Sequence, residues 1–336
     1  QLTKFINEAF KASEQNPILI DKFIDNAMEV DVDAISDGKD VYVAGIMQHI
    51  EEAGIHSGDS ACCLPPVSIK ENILKEIKIQ TRKLALALKV KGLLNIQFAI
   101  KNDEIFVIEV NPRASRTVPF VSKANGIPLA KIASRVMAGE KLSKYKLKYK
   151  TNKRFAVKEA VFPFNKFPDS DLLLGPEMKS TGEVMGRGDC FGEAFGKAMK
   201  GAGEVIPNQG RVFVSVKDND KKYLPDLCSK FEKLGFQIYA TKGTAKALEK
   251  TDVKVKIVNK VLEGRPHIVD AILNKEIDMI INTTEGRQSI KDSFSIRRSA
   301  LEHSIFLTTT ISGGFAIVES LEKGVENWEY KPLQLS

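Results

Sequence analysis

The chain has 336 residues, a formal net charge of +7 and a hydrophobic fraction of 43%. This length can form two hydrophobic cores, and the composition is ordinary for a globular protein. Lysines and arginines are spread along the chain, which argues against a nucleic-acid-binding arm and favours small anionic substrates. The sequence has no charged-then-apolar leader and no run of 18 apolar residues. We therefore expect neither export nor membrane insertion.

The four cysteines are Cys62, Cys63, Cys190 and Cys228. Their positions match neither the spacing of zinc ligands nor a disulfide framework, and two adjacent cysteines cannot easily bridge. We therefore predict a reducing, cytoplasmic location.

The first elements alternate helix and strand patterns. The opening segment is predicted to be helical to about Ser13, and 17–24 is predicted to enter a short strand. Apolar and acidic residues alternate over 28–34, which is typical of a half-buried strand. A turn at 37–38 then leads into a strand over 41–47. The acids of the alternating stretch share one face: Glu29, Asp31 and Asp33.

Next comes a predicted helix followed by two predicted strands. Ser68 and Glu71 have the spacing of a capping box before an amphipathic helix that ends near Lys89. Apolar strands are predicted over 92–100 and 106–110, with a turn between them. The second is so apolar that we expect it to be buried.

Oxygen-bearing side chains gather at the end of this second strand. Glu109 and Asn111 point to the same side because side chains alternate along a strand. Gln97, the polar residue of the first strand, lies opposite Glu109 if the connecting loop has an odd number of residues. Three oxygen donors would then converge, as Mg²⁺ prefers. The alternative is a solvated strand end with an Asn-Pro turn, and spacing alone does not decide between the two.

The middle of the chain predicts a helix over 126–139 and a lysine-rich connector over 141–153. Strands are predicted over 156–162 and 181–185, followed by a helix over 190–200. We place a domain boundary in the Gly-, Pro- and Asn-containing stretch 201–210.

From residue 212 to residue 321 strand and helix patterns alternate, which predicts a doubly wound parallel sheet. Its strand ends carry hydroxyl, amide and lysine side chains that suit a phosphate-binding cradle. Any single threonine among them is equally explained as a helix cap. The group as a whole favours the phosphate site: Thr241, Lys242, Gly243, Thr244, Lys260, Asn282, Thr283 and Thr284.

The residues around Glu109 also resemble a known family. The pattern E-x-N-x-R with an upstream glutamine resembles the metal site of ATP-grasp enzymes. The longer string EVNPRASRTVPFVSKANGIPLAK (109–131) resembles the carbamoyl-phosphate synthase large-chain family. Segments 44–66, 163–186, 258–270 and 281–287 resemble the same family in the same order.

This resemblance implies three regions. Residues 1–140 would form the α+β C-terminal half of an ATP-grasp domain, and 141–205 a connector that completes the synthetase domain. Residues 206–336 would form an allosteric α/β domain like methylglyoxal synthase. The chain would be a fragment that begins inside the second ATP-grasp unit of a longer chain, and we expect it to be inactive alone.

The resemblance further implies ATP-dependent phosphorylation of carbamate, with Mg²⁺ or Mn²⁺. Arg113 and Arg116 would stabilise the transferred phosphoryl group. Gln97, Glu109 and Asn111 would hold the metal. The implied nucleotide-binding residues are Lys22, Ile24, Glu29, Gly54, Ile55, His56, Ser57, Gln97 and Glu109.

The resemblance also implies regulation. A nucleotide such as UMP or IMP would bind at Lys221, Thr241, Thr244, Lys260, Asn282, Thr283 and Thr284. An ornithine site would comprise Glu51, Asp59, Glu159 and Thr309. However, Leu307 and Thr308 stand where ornithine-responsive members carry tyrosine and aspartate, which argues against ornithine activation.

The implied partners are a glutamine amidotransferase small subunit and carbamate and bicarbonate-derived substrates, in an oligomer of heterodimers. An alternative is a stand-alone regulatory nucleotide-binding protein. A methylglyoxal synthase is disfavoured because the Gly-Gly-Asp-Gln loop of that family is missing and 264–267 carries no acid.

Overall fold

The computed structural model describes residues 2–13, 16–25, 27–148, 154–167, 170–324 and 328–333, apart from the side chains of Asn165 and Arg287. A seven-stranded sheet has the order β5-β4-β1-β2-β3-β6-β7, and its neighbouring strands pair antiparallel. Its strands are β1 (Met28–Asp37), β2 (Val41–Glu52), β3 (Cys62–Leu64), β4 (Lys91–Lys101), β5 (Glu104–Asn111), β6 (Phe155–Val161) and β7 (Gly182–Gly188).

Helices cover both faces of this sheet. They are α2 (Glu71–Ala87), α3 (Val118–Asn125), α4 (Leu129–Met137) and α5 (Phe191–Gly201). A further helix, α1 (Leu2–Ala12), precedes the sheet and buries none of its residues. On one face, Val30 and Val32 of β1 share a core with Ile77 of α2. On the other, Ile35 shares a core with Val121 of α3. The prediction that β1 is half-buried was therefore wrong, because helices close both of its faces.

Three further expectations for this region were wrong. Residues 17–24 form no strand. The capping box is absent because α2 begins after Lys70, while Ser68 accepts a hydrogen bond from Gln48. The strand over 106–110 is exposed, because β5 is the edge strand of the sheet and residues Phe106, Val107 and Ile108 face outward.

The single helix expected over 126–139 is α4, and the sequence reasoning missed α3 before it. Gly126 separates the two helices by adopting a left-handed conformation, with φ of +68°. Glycine is the residue that adopts this conformation at the end of a helix without steric cost.

The second sheet confirms the doubly wound prediction. Its strands are parallel in the order β10-β9-β8-β11-β12. They are β8 (Arg211–Ser215), β9 (Gln237–Ala240), β10 (Val255–Ile257), β11 (Met279–Asn282) and β12 (Phe306–Thr308). The helices between and after them are α6 (Leu224–Lys233), α7 (Lys242–Ala245), α8 (Ile268–Leu273), α9 (Arg287–Glu302) and α10 (Ile311–Glu322).

This topology places a ligand crevice beside β8. Helices α6 and α10 pack on one face of the sheet, and α8 and α9 pack on the other. The chain winds outward from β8 in both directions, and such a switch point opens a crevice at the carboxyl ends of the strands.

The two sheets are joined through α5 and α10. An added Cβ at Gly192 of α5 would lie 2.2 Å from the carbonyl oxygen of Glu319 in α10. One hydrophobic core runs across the junction and includes Phe195 of α5 and Ile317 of α10. In the described part of the chain, no helix has the length and apolar character needed to cross a bilayer.

Candidate functional site

The predicted metal ligands lie together at the open end of β4 and β5. Gln97 pairs with Glu109 across the two strands. Asn111 lies on the same face as Glu109 and donates from Nδ2 to Glu109 Oε1 at 2.7 Å. Gln97 Nε2 donates to Ser57 Oγ at 2.9 Å, so the amide is oriented by the loop that follows β2.

This donor set fits Mg²⁺. One carboxylate and two amide groups supply hard oxygen atoms, and this ion usually completes its shell with water and phosphate oxygens. Glu109 is exposed, so nucleotide phosphates can approach it from solvent. The same three side chains suit Mn²⁺, which also prefers carboxylate and carbonyl ligands.

A buried carboxylate holds the arginine-bearing loop that follows β5. Asp33 of β1 accepts hydrogen bonds from Asn95 Nδ2 at 3.0 Å, Ser115 Oγ at 2.8 Å and Thr117 Oγ1 at 2.6 Å. Burial raises the pKa of Asp33 to about 6, although these bonds oppose the rise. The loop between β5 and α3 is thereby fixed to the centre of the sheet.

The two arginines of this loop have different surroundings. Arg116 Nη1 lies 3.2 Å from Ser180 Oγ and 2.6 Å from Met178 Sδ. Arg113 is exposed and donates to the carbonyl oxygen of the adjacent Ala114. Arg116 is therefore already placed by the protein, whereas Arg113 extends toward solvent near the predicted metal ligands.

The loop at 54–58 is tightly constrained by backbone contacts. The N–H of Gly54 donates to the carboxylate of Glu29. The N–H of His56 donates to the carbonyl oxygen of Gly175 at 2.8 Å, and its Nδ1 accepts from the N–H of Gly58 at 3.0 Å. Ile55 and Ser57 lie half-buried within the same loop.

The predicted adenine-side residues lie in the extended segment 16–25. Lys22 is exposed and Ile24 is half-buried. Between them, the Phe23 ring lies 3.0 Å from where a Cβ on Gly54 would be. The segment therefore passes beside the 54–58 loop, although it forms no strand there.

A buried charge cluster next to this loop was missed by the sequence reasoning. His49 of β2 lies between Glu29 and Asp31, with Nδ1 3.9 Å from Glu29 Oε1 and Nε2 3.5 Å from Asp31 Oδ2. Burial lowers the pKa of His49, but the Asp31 and Glu29 carboxylates together raise it above its ordinary value. These three side chains are close enough to hold a cation.

Lys158 is a second missed residue. Its side chain is fully buried, and its Nζ donates to the carbonyl oxygens of Ser57 at 3.1 Å and Gly58 at 3.3 Å. A lysine within the apolar strand FAVKEAV of β6 was the available signal. A buried lysine is costly unless such partners satisfy it.

The predicted effector residues surround a cavity of about 590 Å³ at the carboxyl ends of β8, β9 and β11. Five of the seven line it: Lys221, Thr241, Thr244, Lys260 and Thr283. The other two, Asn282 and Thr284, do not line it. Asn282 is buried and donates to the carbonyl oxygen of Ser215, because its side chain turns toward β8.

The hydroxyl groups of this cavity are already ordered by the protein. Thr241 Oγ1 donates to Thr244 Oγ1 at 3.1 Å, and Thr283 Oγ1 donates to Asp220 Oδ2 at 2.6 Å. Lys221 Nζ lies 2.6 Å from Asp218 Oδ1. In the described residues, Thr241 makes no side-chain cap bond to α7.

The four predicted ornithine residues are divided between two places. Glu51, Glu159 and Thr309 line a cavity of about 170 Å³ between the two sheets, where Glu204 is a further acid that the sequence reasoning missed. Asp59 lies elsewhere and accepts the N–H groups of Lys179 and Ser180.

We expect Glu159 to make stability pH-dependent. Burial, followed by the charge of Glu51, raises the pKa of Glu159 to about 8. The folded chain therefore binds more protons than the unfolded chain between pH 4.5 and about 8, and stability falls as the pH rises through this window. Urea unfolding at pH 5 and pH 8.5 measures the free energy of unfolding. Between these two pH values it should fall by about 2–4 kcal/mol less in Glu159→Gln than in the wild type. The exposed Glu249→Gln is the matched control, and equal pH slopes for Glu159→Gln and wild type would contradict this account.

Comparison with known proteins shows which sequences this chain is similar to. Residues 1–145 match the family model "Carbamoyl-phosphate synthase L chain, ATP binding domain", and residues 224–309 match "MGS-like domain". The carbamoyl phosphate synthase large chain of Pseudomonas putida is 56% identical over 97% of this chain. The chain belongs to the carbamoyl phosphate synthase large-chain family.

This chain spans only part of its large-chain relatives. It covers 30% of the P. putida large chain and 31% of the Methanobrevibacter smithii one, which is 53% identical. It covers 63% of an Aquifex aeolicus protein named large chain, C-terminal section, which is 50% identical. A solved biotin carboxylase domain is 14% identical, with a TM-score of 0.44, over 59% of this chain and 56% of that one.

Proposed function

We propose that this chain contributes the ATP site that phosphorylates carbamate within a longer carbamoyl-phosphate synthase large chain. This proposal rests on the convergence of Gln97, Glu109 and Asn111 beside the loop 112–117, here called the arginine loop. The hydrogen bond from Gln97 to Ser57 links the metal ligands to the loop 54–58, here called the nucleotide loop. The Asp33 network fixes the arginine loop to the same sheet.

In the proposed reaction a carbamate oxygen attacks the γ-phosphorus of ATP, forming carbamoyl phosphate as the bond to ADP breaks. A metal ion held by Glu109, Asn111 and Gln97 would supply charge neutralisation for the phosphates. Arg113 and Arg116 would bind the transferring phosphoryl oxygens, because a guanidinium group matches their geometry and charge. Phosphoryl transfer depends mainly on such positioning and electrostatics.

The nucleotide side of the site is proposed from the 54–58 loop. Glu29 orients this loop through Gly54 and would bond the ATP ribose. Lys22 and Ile24 would lie on the adenine side. Ile55, His56 and Ser57 would contact the nucleotide. Lys158 Nζ stabilises this loop by donating to the carbonyl oxygen of Ser57.

The test is ATP formation from ADP and carbamoyl phosphate by the full-length enzyme, which is the reverse of the proposed step. We expect this activity in the wild type and its loss in Arg116→Ala. Retention of the activity in Arg116→Ala would contradict the arginine assignment. An inactive wild type that folds and binds ATP would contradict the proposed reaction.

We also propose that the cavity beside β8 binds a nucleoside monophosphate. Lys221 and Lys260 supply positive charge there, and Thr241, Thr244 and Thr283 supply hydroxyl groups. The methylglyoxal-synthase-like region would thus be the regulatory domain of the enzyme.

Lys260→Ala should weaken UMP or IMP binding to this chain by about 10- to 100-fold. The reason is that a charge-assisted hydrogen bond is worth roughly 1.5–3 kcal/mol. Isothermal calorimetry measures this directly. Lys250→Ala, which removes an exposed lysine outside the cavity, should bind as the wild type does. Equal affinities of Lys260→Ala and wild type would place the phosphate elsewhere.

The remaining parts of the proposal concern the whole enzyme. We infer a glutamine amidotransferase small subunit as nitrogen source, bicarbonate-derived carbamate as substrate, an oligomer of heterodimers and a cytoplasmic location. Glu51, Glu159 and Thr309 could recognise an amine such as ornithine. Leu307 and Thr308 at the rim of that cavity still argue against it.

A further inference from the structure

We propose that residues 171–180, here called the relay segment, transmit effector binding to the nucleotide loop through the ion pair Asp171–Arg297. Asp171 and Arg297 would act as positioning residues, since neither touches substrate or effector. The inference rests on the proposed effector cavity and names the route by which that cavity would regulate the ATP site.

The effector cavity shares a wall with the arginine of this pair. Helix α9 lines the cavity with Ser289, Asp292, Ser293 and Ile296, which are spaced along one helical face. The next residue, Arg297, is fully buried. A ligand that shifts α9 must therefore move this side chain or strain it, since packed interiors do not deform freely.

Arg297 forms a bidentate ion pair with Asp171 of the first region. Its Nε lies 2.8 Å from Asp171 Oδ1 and its Nη2 lies 2.6 Å from Asp171 Oδ2. Nη2 also donates to the carbonyl oxygen of Ile290 in the same helix at 3.0 Å. Such a two-pronged pair fixes both distance and orientation. The pair therefore links α9 rigidly to the start of the relay segment.

The relay segment is stiffened internally by Lys179. Its Nζ donates to the carbonyl oxygens of Asp171 at 3.0 Å and Leu173 at 2.7 Å. These bonds join the two ends of the segment, so a displacement at Asp171 reaches Lys179 directly.

The far side of the relay segment holds the nucleotide loop and one phosphoryl-binding arginine. The carbonyl oxygen of Gly175 accepts the N–H of His56. The N–H groups of Lys179 and Ser180 donate to Asp59 at 2.7 and 2.9 Å. Ser180 Oγ also lies 3.2 Å from Arg116 Nη1. The segment thus contacts both the nucleotide loop and the arginine loop.

A competing link between the effector cavity and the first sheet is the ion pair between Lys217 and Glu52. Lys217, which lines the effector cavity, lies 3.2 Å from Glu52 at the end of β2. The Glu52 side chain is 40% exposed, and the contact involves a single lysine nitrogen. Exposed pairs of this kind hold geometry weakly. We therefore assign the coupling to Asp171–Arg297, and the experiment includes Glu52 as the rival.

The experiment measures amide hydrogen exchange of the chain with and without saturating UMP, with IMP as a second probe. In the wild type, nucleotide should change exchange in 54–60 and 171–180 by about 3-fold or more, as expected when a local opening equilibrium shifts. In Asp171→Asn, which keeps the shape but removes the charge, this response should disappear. Calorimetric affinity for the nucleotide should stay within about 3-fold of wild type.

Two variants complete the design. Glu302→Gln breaks the outer ion pair of α9 with Arg298 and should leave the response intact. Glu52→Gln should also leave it intact, and loss of the response in Glu52→Gln but not in Asp171→Asn would overturn the relay. Asp171 is partly exposed, so Asp171→Asn should fold as the wild type does. Arg297 is fully buried, and its truncation would risk unfolding the chain.

The outcomes separate the two proposals. A wild-type chain that binds neither nucleotide contradicts the effector cavity, and the relay with it. Binding without an exchange response in 171–180, or an unchanged response in Asp171→Asn, contradicts the relay alone.

Discussion

Replacing Glu109 with glutamine in the full-length enzyme is expected to reduce carbamate phosphorylation by about 10³-fold, the scale seen when a group that stabilises a transferring phosphoryl is lost. The substitution removes a negative charge from the proposed metal site while keeping its shape. Glu109 is exposed on edge strand β5, so folding should survive. ATP formation from ADP and carbamoyl phosphate, at limiting and at high Mg²⁺, measures the loss.

The same strand offers a matched control. Glu104 is an exposed glutamate at the start of β5. Glu104→Gln makes the same chemical change away from the site, and it should leave activity unaltered. Wild-type activity of Glu109→Gln at limiting Mg²⁺ would remove Glu109 from the metal site.

The sequence predicted the second domain more completely than the first. Its strands are short and parallel, β8, β9 and β11 are largely buried, and each strand is followed by a helical pattern. Two parallel strands need a crossover connection, which is usually a helix. Alternating strand and helix patterns there therefore also indicate the topology of the sheet. The sequence pattern alone therefore places the strand ends that carry Thr241, Lys260 and Thr283 at one crevice.

In the first domain, burial depended on neighbours that local patterns do not reveal. The apolar run of β5 predicts a buried strand, yet this strand forms an exposed edge of the sheet. The alternating acids of β1 predict a half-buried strand, yet helices close both faces of the sheet there. A period of two identifies a strand, but the number of layers around it comes from the tertiary fold.

The polar networks were the least predictable part of the site. Asp33 is bonded to Ser115 and Thr117, which lie 82 and 84 residues away in sequence. The Asp171–Arg297 pair spans 126 residues. Nothing in a single sequence ties such partners together, although an acid at an inward-facing position signals that some partner must exist.

The junction between the two domains gives the second large expected effect. Gly192→Ala should destabilise the chain by about 2 kcal/mol or more. An added Cβ would lie 2.2 Å from the Glu319 carbonyl oxygen and 2.9 Å from the Ser320 nitrogen, which are backbone atoms of α10. Overpacking of this kind costs roughly 1–3 kcal/mol and sometimes more. The gain in helix propensity from alanine offsets only about 1 kcal/mol of it.

Urea unfolding, together with limited proteolysis between the domains, measures this effect. Gly201→Ala lies in the same helix, where the added Cβ meets Val184 at an ordinary 3.4 Å. That variant should be as stable as the wild type or slightly more stable, because alanine favours the helix. If Gly192→Ala were equally stable, α5 and α10 would not pack with backbones this close.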